Sequence, residues 1–221
     1  MSSQKSTIFE ILDECRDGII SKMGVYDKYD EGHDFPWDNH LWRSVDFRRA
    51  HLDVVDLRDT RKLYMMHLCV FPHTNDPAPI FGFDLIAGPN KVTGAFHDFS
   101  PVVVDHPMLG WFAEKVSQQE WSKERELPDW AKRIFSGSMI AAGNISDPKE
   151  LKRVVALVNE TLSYYLENVG DVGGEGEYTA QQNNYCHWQK HNPHTPRVMD
   201  ALGFEADMVA RFIRECLFPE I

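Results

Sequence analysis

No run of the chain approaches the ~18–20 consecutive apolar residues that a membrane-spanning helix needs. The N-terminal stretch MSSQKSTIFEILDE turns acidic too early for a secretory signal, so a cytoplasmic protein is expected. Cysteine is scarce. Cys15, Cys69, Cys186 and Cys216 form no CxxC pair and no framework spacing, which argues against a disulfide scaffold and an internal iron–sulfur cluster. Basic residues are outnumbered, 23 Lys and Arg against 34 Asp and Glu, for a net charge of −11. That balance argues against nucleic acid as a partner, although it leaves room for a local basic patch. There is no phosphate-binding P-loop, no Gly-x-Ser-x-Gly elbow and no His-Glu-x-x-His. The glycine-rich GDVGGEGEY follows a predicted helix and has the wrong spacing for a dinucleotide fingerprint, so it reads as a loop.

What is present is an ordinary globular composition, 43% apolar and 26% charged over 221 residues, long enough for one large domain spanning 1–221. The informative stretch runs from Phe47 to Pro101 and reads as consecutive strands. Side chains two apart in a strand share a face. Arg49, His51, Asp53 and Val55 therefore line up in FRRAHLDVV; Met65, His67 and Cys69 in KLYMMHLCVF; and Gly82, Asp84 and Ile86 in IFGFDLIAG. Pairing about residue 60 in LRDTR sets Asp53 opposite His67. Pairing about the middle of PHTNDPAP sets His67 opposite Asp84. Pairing about Pro89 in AGPNK sets Asp84 opposite Gly94, leaving space beside the carboxyl. Opposed residues lie roughly 5 Å apart at Cβ. Taken singly, His67 reads as a satisfied core histidine and the carboxylates as residues of a wet face. Three in register on an otherwise apolar face read as a site, because buried charge is costly unless it is paired or used. Such a row can store and deliver protons.

Elsewhere, residues 7–23 have helical periodicity and 24–43 read as an aromatic-rich loop. Residues 108–121 and 127–136 are predicted helices, and SGSMIAAGNI is a candidate strand. The strongest helix runs from Pro148 to Val169, with Asp147 as N-cap, Glu150 completing a capping box and Gly170 as terminator. A helix is predicted after Tyr178, broken at Asn192–Pro193, and a last one in ADMVARFIRECLF. His187, His191 and His194 have spacing compatible with a metal site, but Pro193 interrupts the helix between the last two, and no metal is expected. One helix, a run of strands and a run of helices predict an α/β fold: a three-layer α/β/α sandwich around an antiparallel sheet.

The segment PIFGFDLIAGPNKVTGAFHDFSP, with FRRAHLDV upstream and QKHNPHTPRVMDALG downstream, resembles the ferredoxin-dependent bilin reductases. The likeness is greatest to the phycocyanobilin:ferredoxin oxidoreductase branch and its phage-type offshoot that forms phycoerythrobilin. The resemblance implies that biliverdin IXα binds between the sheet and the C-terminal helices. It also implies that the protein holds no cofactor of its own and that an acidic [2Fe–2S] ferredoxin supplies single electrons. By motif match, Asp84 stands at the family's proton-donating aspartate and His67 at its partner histidine. His51 stands at a pocket histidine and Asn192 at an asparagine beside the bilin. Asp53 occupies a glutamate position, Pro193 an aspartate position and His194 the position of a propionate-binding lysine, while Gly143 stands where an arginine is expected. The expected catalytic set is Asp84, His67 and Asp53, with His51, Asn192, His194 and Gly94 around the substrate. The reading is a monomeric enzyme reducing biliverdin to phycoerythrobilin. The alternatives are a phycocyanobilin-forming enzyme and a non-catalytic tetrapyrrole carrier. A basic rim drawn from Arg48, Arg58, Arg61, Lys62, Lys132, Arg133, Lys149, Lys152 and Arg153 would meet ferredoxin.

Overall fold

A computed structural model describes residues 7–170 and 176–221. Helix α1 (Thr7–Met23) leads into strands β1 (Asp27–Tyr29), β2 (Asp38–Arg43) and β3 (Phe47–Leu57). A single turn, α2 (Arg58–Arg61), connects to β4 (Leu63–Pro72), β5 (Ile80–Ala87) and β6 (Val92–Ser100). Then come α3 (Pro107–Ser117), a 3-10 turn (Ala131–Arg133), β7 (Ile140–Ala142) and α4 (Pro148–Asn168). Helices α5 (Thr179–Gln189), α6 (His194–Ala201) and α7 (Ala206–Arg211) follow, the last running into a π-helical stretch at Phe212–Leu217. The seven strands form one antiparallel sheet in chain order. Among the described residues no helix is long and apolar enough to cross a membrane.

Two cores flank the sheet. On one face α1, α3 and α4 pack Leu12, Ile19, Phe112, Val158 and Leu162 against Leu52, Met66, Leu68, Phe81 and Leu85. On the other, α5, α6 and the π-helical stretch after α7 pack Tyr185, Met199 and Phe212 with Cys69, Phe71 and Ile80. This is the three-layer sandwich expected from the order of elements. Strands β3, β4 and β5 alternate between the two cores, so both of their faces are covered. In α4, Asp147 caps the first turn by accepting the Lys149 amide at 2.9 Å. At the far end, Gly170 adopts φ +87° and donates its amide to the buried Asp76. A Cβ there would also lie 3.0 Å from Asp46 Cα, so the site takes glycine for two reasons.

The fold corrects several expectations. The 24–43 stretch contains two strands; β2 pairs with β3 and extends the sheet, and its polar alternation hid that role. Only one 3-10 turn forms within 127–136, where Pro128 and short apolar spacing leave no continuous helical face. Glu150 completes no capping box: it is buried and accepts the Ser122 amide at 2.8 Å, tying the 118–126 segment to α4. Most of the expected GDVGGEGEY loop, residues 171–175, lies outside the described residues.

Candidate functional site

The three central strands bring the ionisable residues together. Antiparallel pairing sets Asp53 opposite His67 and His67 opposite Asp84, as the turn lengths predict. The third expectation fails by two residues: Asp84 lies opposite Phe96, and Gly94 opposite Ile86. The β5–β6 turn is one residue wider than assumed. A bulge then adds a further residue, Thr93, whose hydroxyl bonds the Ile86 carbonyl at 3.0 Å. Two one-residue shifts preserve the face, so Phe96 still projects on Asp84's side. Gly94 does leave room, but for the Phe96 ring, whose edge would lie 2.8 Å from a Cβ there. Gly94 itself does not line the cavity described next.

Over this face lies a cavity of about 260 Å³. Asp53, His67, Gly82, Asp84 and Asp98 form its floor. Helices α5 and α6 and the C-terminal stretch roof it with Tyr185, Gln189, Asn192, His194, Met199 and Phe218. Trp130, Phe135 and Met139 form a third wall. Of the residues singled out from the sequence, Asp84, His67, Asp53, Asn192 and His194 reach it. His51 does not. It is fully buried behind Asp53, with Nε2 3.0 Å from Asn39 Oδ1 and 3.4 Å from Cys216 Sγ. Asn192 accepts the His194 amide at 2.9 Å and so holds the break between α5 and α6.

The electrostatics of the row follow from burial without full pairing. Burial pushes the Asp84 carboxyl up to about 6, the neighbouring Asp53 adds to this, and His67 opposes it. Burial likewise raises Asp53 against the pull of His67. Burial disfavours the His67 cation, but Asp53, with Nδ1 to Oδ1 at 3.6 Å, and then Asp84 outweigh it and raise its pKa. His51 is driven far down by burial, then by Arg49 and His67, and is neutral. Because its Nε2 donates to Asn39, its Nδ1 is an acceptor, 3.9 Å from Asp53 Oδ1. The Nδ1 atoms of His51 and His67 and Oδ1 of Asp53 are buried without a hydrogen-bond partner. Burial raises the carboxyls and the carboxylates in turn raise the imidazole, so the row shares protons among three groups where a bound molecule can take them. The ligand atoms of His51, Asp53 and His67 also lie within 4.8 Å of one another, making them the metal-capable group among the described residues. His187 and His191 lie with ring centres 4.8 Å apart and planes tilted by 57°, and among the described residues no three-ligand group forms there.

Several cavity residues were not singled out from the sequence. Asp98, pushed up to about 6 by burial, accepts bonds from Ser100 Oγ at 2.8 Å, the Ser136 amide at 2.9 Å and the Ser136 hydroxyl. Its position in strand alternation, on Asp84's face, was the available signal. Tyr185, held by Gln189 Nε2 at 2.8 Å, and the residues of the third wall come from segments far along the chain and carried none. The basic rim divides: Arg58 is clamped by Asp13 and Asp56, and Arg48 bonds Gln182 over the Phe71 ring. Lys132 and Arg133 remain exposed beside the Trp130 wall.

Comparison with known proteins supplies the family. The chain is 30% identical over 192 residues to a phycocyanobilin:ferredoxin oxidoreductase of Synechococcus sp. (strain CC9902), covering 81% of this chain and 74% of that one. It is 26% identical over 208 residues to the protein of that name from Gloeobacter violaceus, covering 90% and 80%. Among solved structures it is similar to PcyX, with a TM-score of 0.70 and 31% identity over 95% of this chain and 99% of the other. The fold is also that of tomato phytochromobilin synthase, solved in complex with biliverdin, with a TM-score of 0.69 at 15% identity, covering 98% of this chain and 83% of that one. The profile of the ferredoxin-dependent bilin reductases matches residues 18–219, and the chain belongs to that family of oxidoreductases.

Proposed function

We propose that this enzyme reduces biliverdin IXα to phycoerythrobilin by way of 15,16-dihydrobiliverdin. Four electrons arrive singly from reduced ferredoxin, and four protons are taken up, two at each stage. The observation that carries the reading is the Asp53–His67–Asp84 row in register on the floor of a cavity roofed by the C-terminal helices. A bilin lying there would be protonated by Asp84 and His67, which makes the neutral radical easier to form. General acid help of this kind contributes roughly 10²–10⁴-fold in rate. Asp53 acts as the second acid. Its carboxyl stays within 3.6 Å of His67 at the end of the row, which supports a role in recharging His67 with a proton rather than reaching outward to a vinyl group. His51 positions Asp53, and Asn192 and His194 face the substrate from the roof. The electron donor and biliverdin fit what the family name and the tomato complex describe.

The names of the curated relatives favour a second reading, in which the D-ring vinyl group and then the A-ring are reduced to give phycocyanobilin. Chromatography of the product formed anaerobically from biliverdin with a ferredoxin-reducing system separates the two. Phycoerythrobilin is expected, with transient dihydrobiliverdin; phycocyanobilin as the end product would overturn the assignment.

A further inference from the structure

One arginine in the cavity wall is seated by missing side chains. Arg125 lines the cavity and is its one permanently charged cation among the described residues, whereas Asp53, Asp84, Asp98 and Glu126 supply carboxyls. Its backbone is fixed to the sheet edge: the Arg125 amide bonds Ala141 O at 2.8 Å, and Lys123 O accepts the Gly143 amide at 2.9 Å. The side chain then crosses two glycines. A Cβ on Gly143 would lie 2.5 Å from Arg125 Nε and 3.2 Å from its Cγ and Cδ, and one on Gly94 would lie 3.8 Å from Nη1. One face of the guanidinium is turned to the Phe96 ring, 5.8 Å from its centre, and Nη2 donates to the Thr93 carbonyl at 2.6 Å. Among the described residues Arg125 makes no ion pair with a carboxylate, unlike Arg49, which is held by Glu31.

The geometry points to Arg125 as the anchor for a carboxylate of the bound substrate, with Gly143 and Gly94 forming the notch that aims it. The inference rests on the functional reading above, since biliverdin carries two propionates that need a polar or charged partner at the edge of an apolar slot, and Arg125 is exposed at that edge. Arg125 is exposed at the cavity wall, with Nη2 bound to backbone, and its remaining donors can offer the planar pair that a carboxylate takes. Binding at this edge would fix the pigment's lateral position relative to Asp84 and so bear on which bond is presented for protonation.

The test titrates biliverdin and biliverdin dimethyl ester into the full-length protein and follows the bilin absorbance. The wild type should bind the diacid ~10-fold more tightly than the ester, the effect of one charge-assisted contact. Arg125→Ala should weaken the diacid by about that factor, leave the ester unchanged and so abolish the discrimination. Arg125→Lys should restore only part of it. Gly143→Ala, with its melting temperature checked, should mimic Arg125→Ala by pushing the guanidinium off its seat. If the wild type binds biliverdin but Arg125→Ala discriminates as the wild type does, the anchor is overturned and the functional reading stands. If the wild type binds no biliverdin at all, the functional reading falls and the anchor with it.

Discussion

Burial on the sheet face raises the pH at which Asp84 takes up a proton, and that has two measurable consequences. Its folded pKa of about 6 lies above the ordinary 3.8, so the folded state binds this proton more tightly than the unfolded chain. The stabilisation is present at low pH and is lost as pH rises through about 6. Asp84→Asn carries no such proton. Its stability relative to wild type is expected to rise by up to about 3 kcal/mol between about pH 4 and about pH 8 in urea titrations, discounted for the carboxyl's partial exposure. In catalysis the same variant should accumulate a bilin radical, visible by electron paramagnetic resonance under anaerobic turnover. Unimpaired phycoerythrobilin formation would remove Asp84 from the proton path. Asp53 is tested differently. Asp53→Glu lengthens the acid by one methylene and should divert part of the product toward vinyl reduction, read by chromatography. An unchanged product would mean that this side chain does not choose the double bond.

At the scale of elements, the wall formed by residues 127–139 is held to β6 largely by one carboxyl. Asp98 takes bonds from the Ser136 amide and hydroxyl and from Ser100. Asp98→Ala leaves those donors without an acceptor, at about 1–3 kcal/mol for each one left buried. The expected result is a lower denaturation midpoint together with weaker bilin binding, because Trp130, Phe135 and Met139 lose their fixed placement. Asp98→Asn keeps an acceptor oxygen and should recover most of the stability. A variant that unfolds more easily yet binds bilin as before would separate the tie from the pocket.

For the whole molecule, the sandwich assigns its two faces separate work. The face covered by α1, α3 and α4 is a continuous apolar core, and the face covered by α5 to α7 encloses the cavity. The family is ferredoxin-dependent, and against a net charge of −11 an acidic ferredoxin would need a local positive surface. We propose Lys132 and Arg133, exposed beside the Trp130 wall, as that surface; Lys132 also meets the exposed Asp129 at 3.4 Å, and Arg133 lies over the Trp188 ring. Ferredoxin-supported turnover should therefore fall as salt rises from ~0.05 M to ~0.5 M, where the screening length shrinks to a few ångströms. Turnover driven by a small uncharged reductant should be nearly flat over the same range. Equal salt dependence of both would argue against charge-guided docking.

Much of this protein was legible before any coordinates, and the reason is periodicity. Strand alternation fixed which side chains share a face, and the turns after Leu57 and Pro72 were short or punctuated enough to fix register; hence the Asp53–His67–Asp84 row. Alternation also put Asp98 on that face, although nothing local marked it as a tie to Ser136. Local chemistry likewise placed the Asp147 cap and the Gly170 stop. What the chain did not announce depends on contacts between distant segments. The wider β5–β6 turn and the bulge at Thr93 together moved Phe96 beside Asp84, and β2 was recognisable only by its pairing with β3. Glu150 left its own helix end for Ser122, and His51 withdrew behind Asp53. The roof, the third wall and the arginine seated over two glycines arise from packing across the fold. Sequence thus determined the ionisable row and the face its members share; only the tertiary structure decided what covers them, because burial and enclosure are properties of the assembled layers.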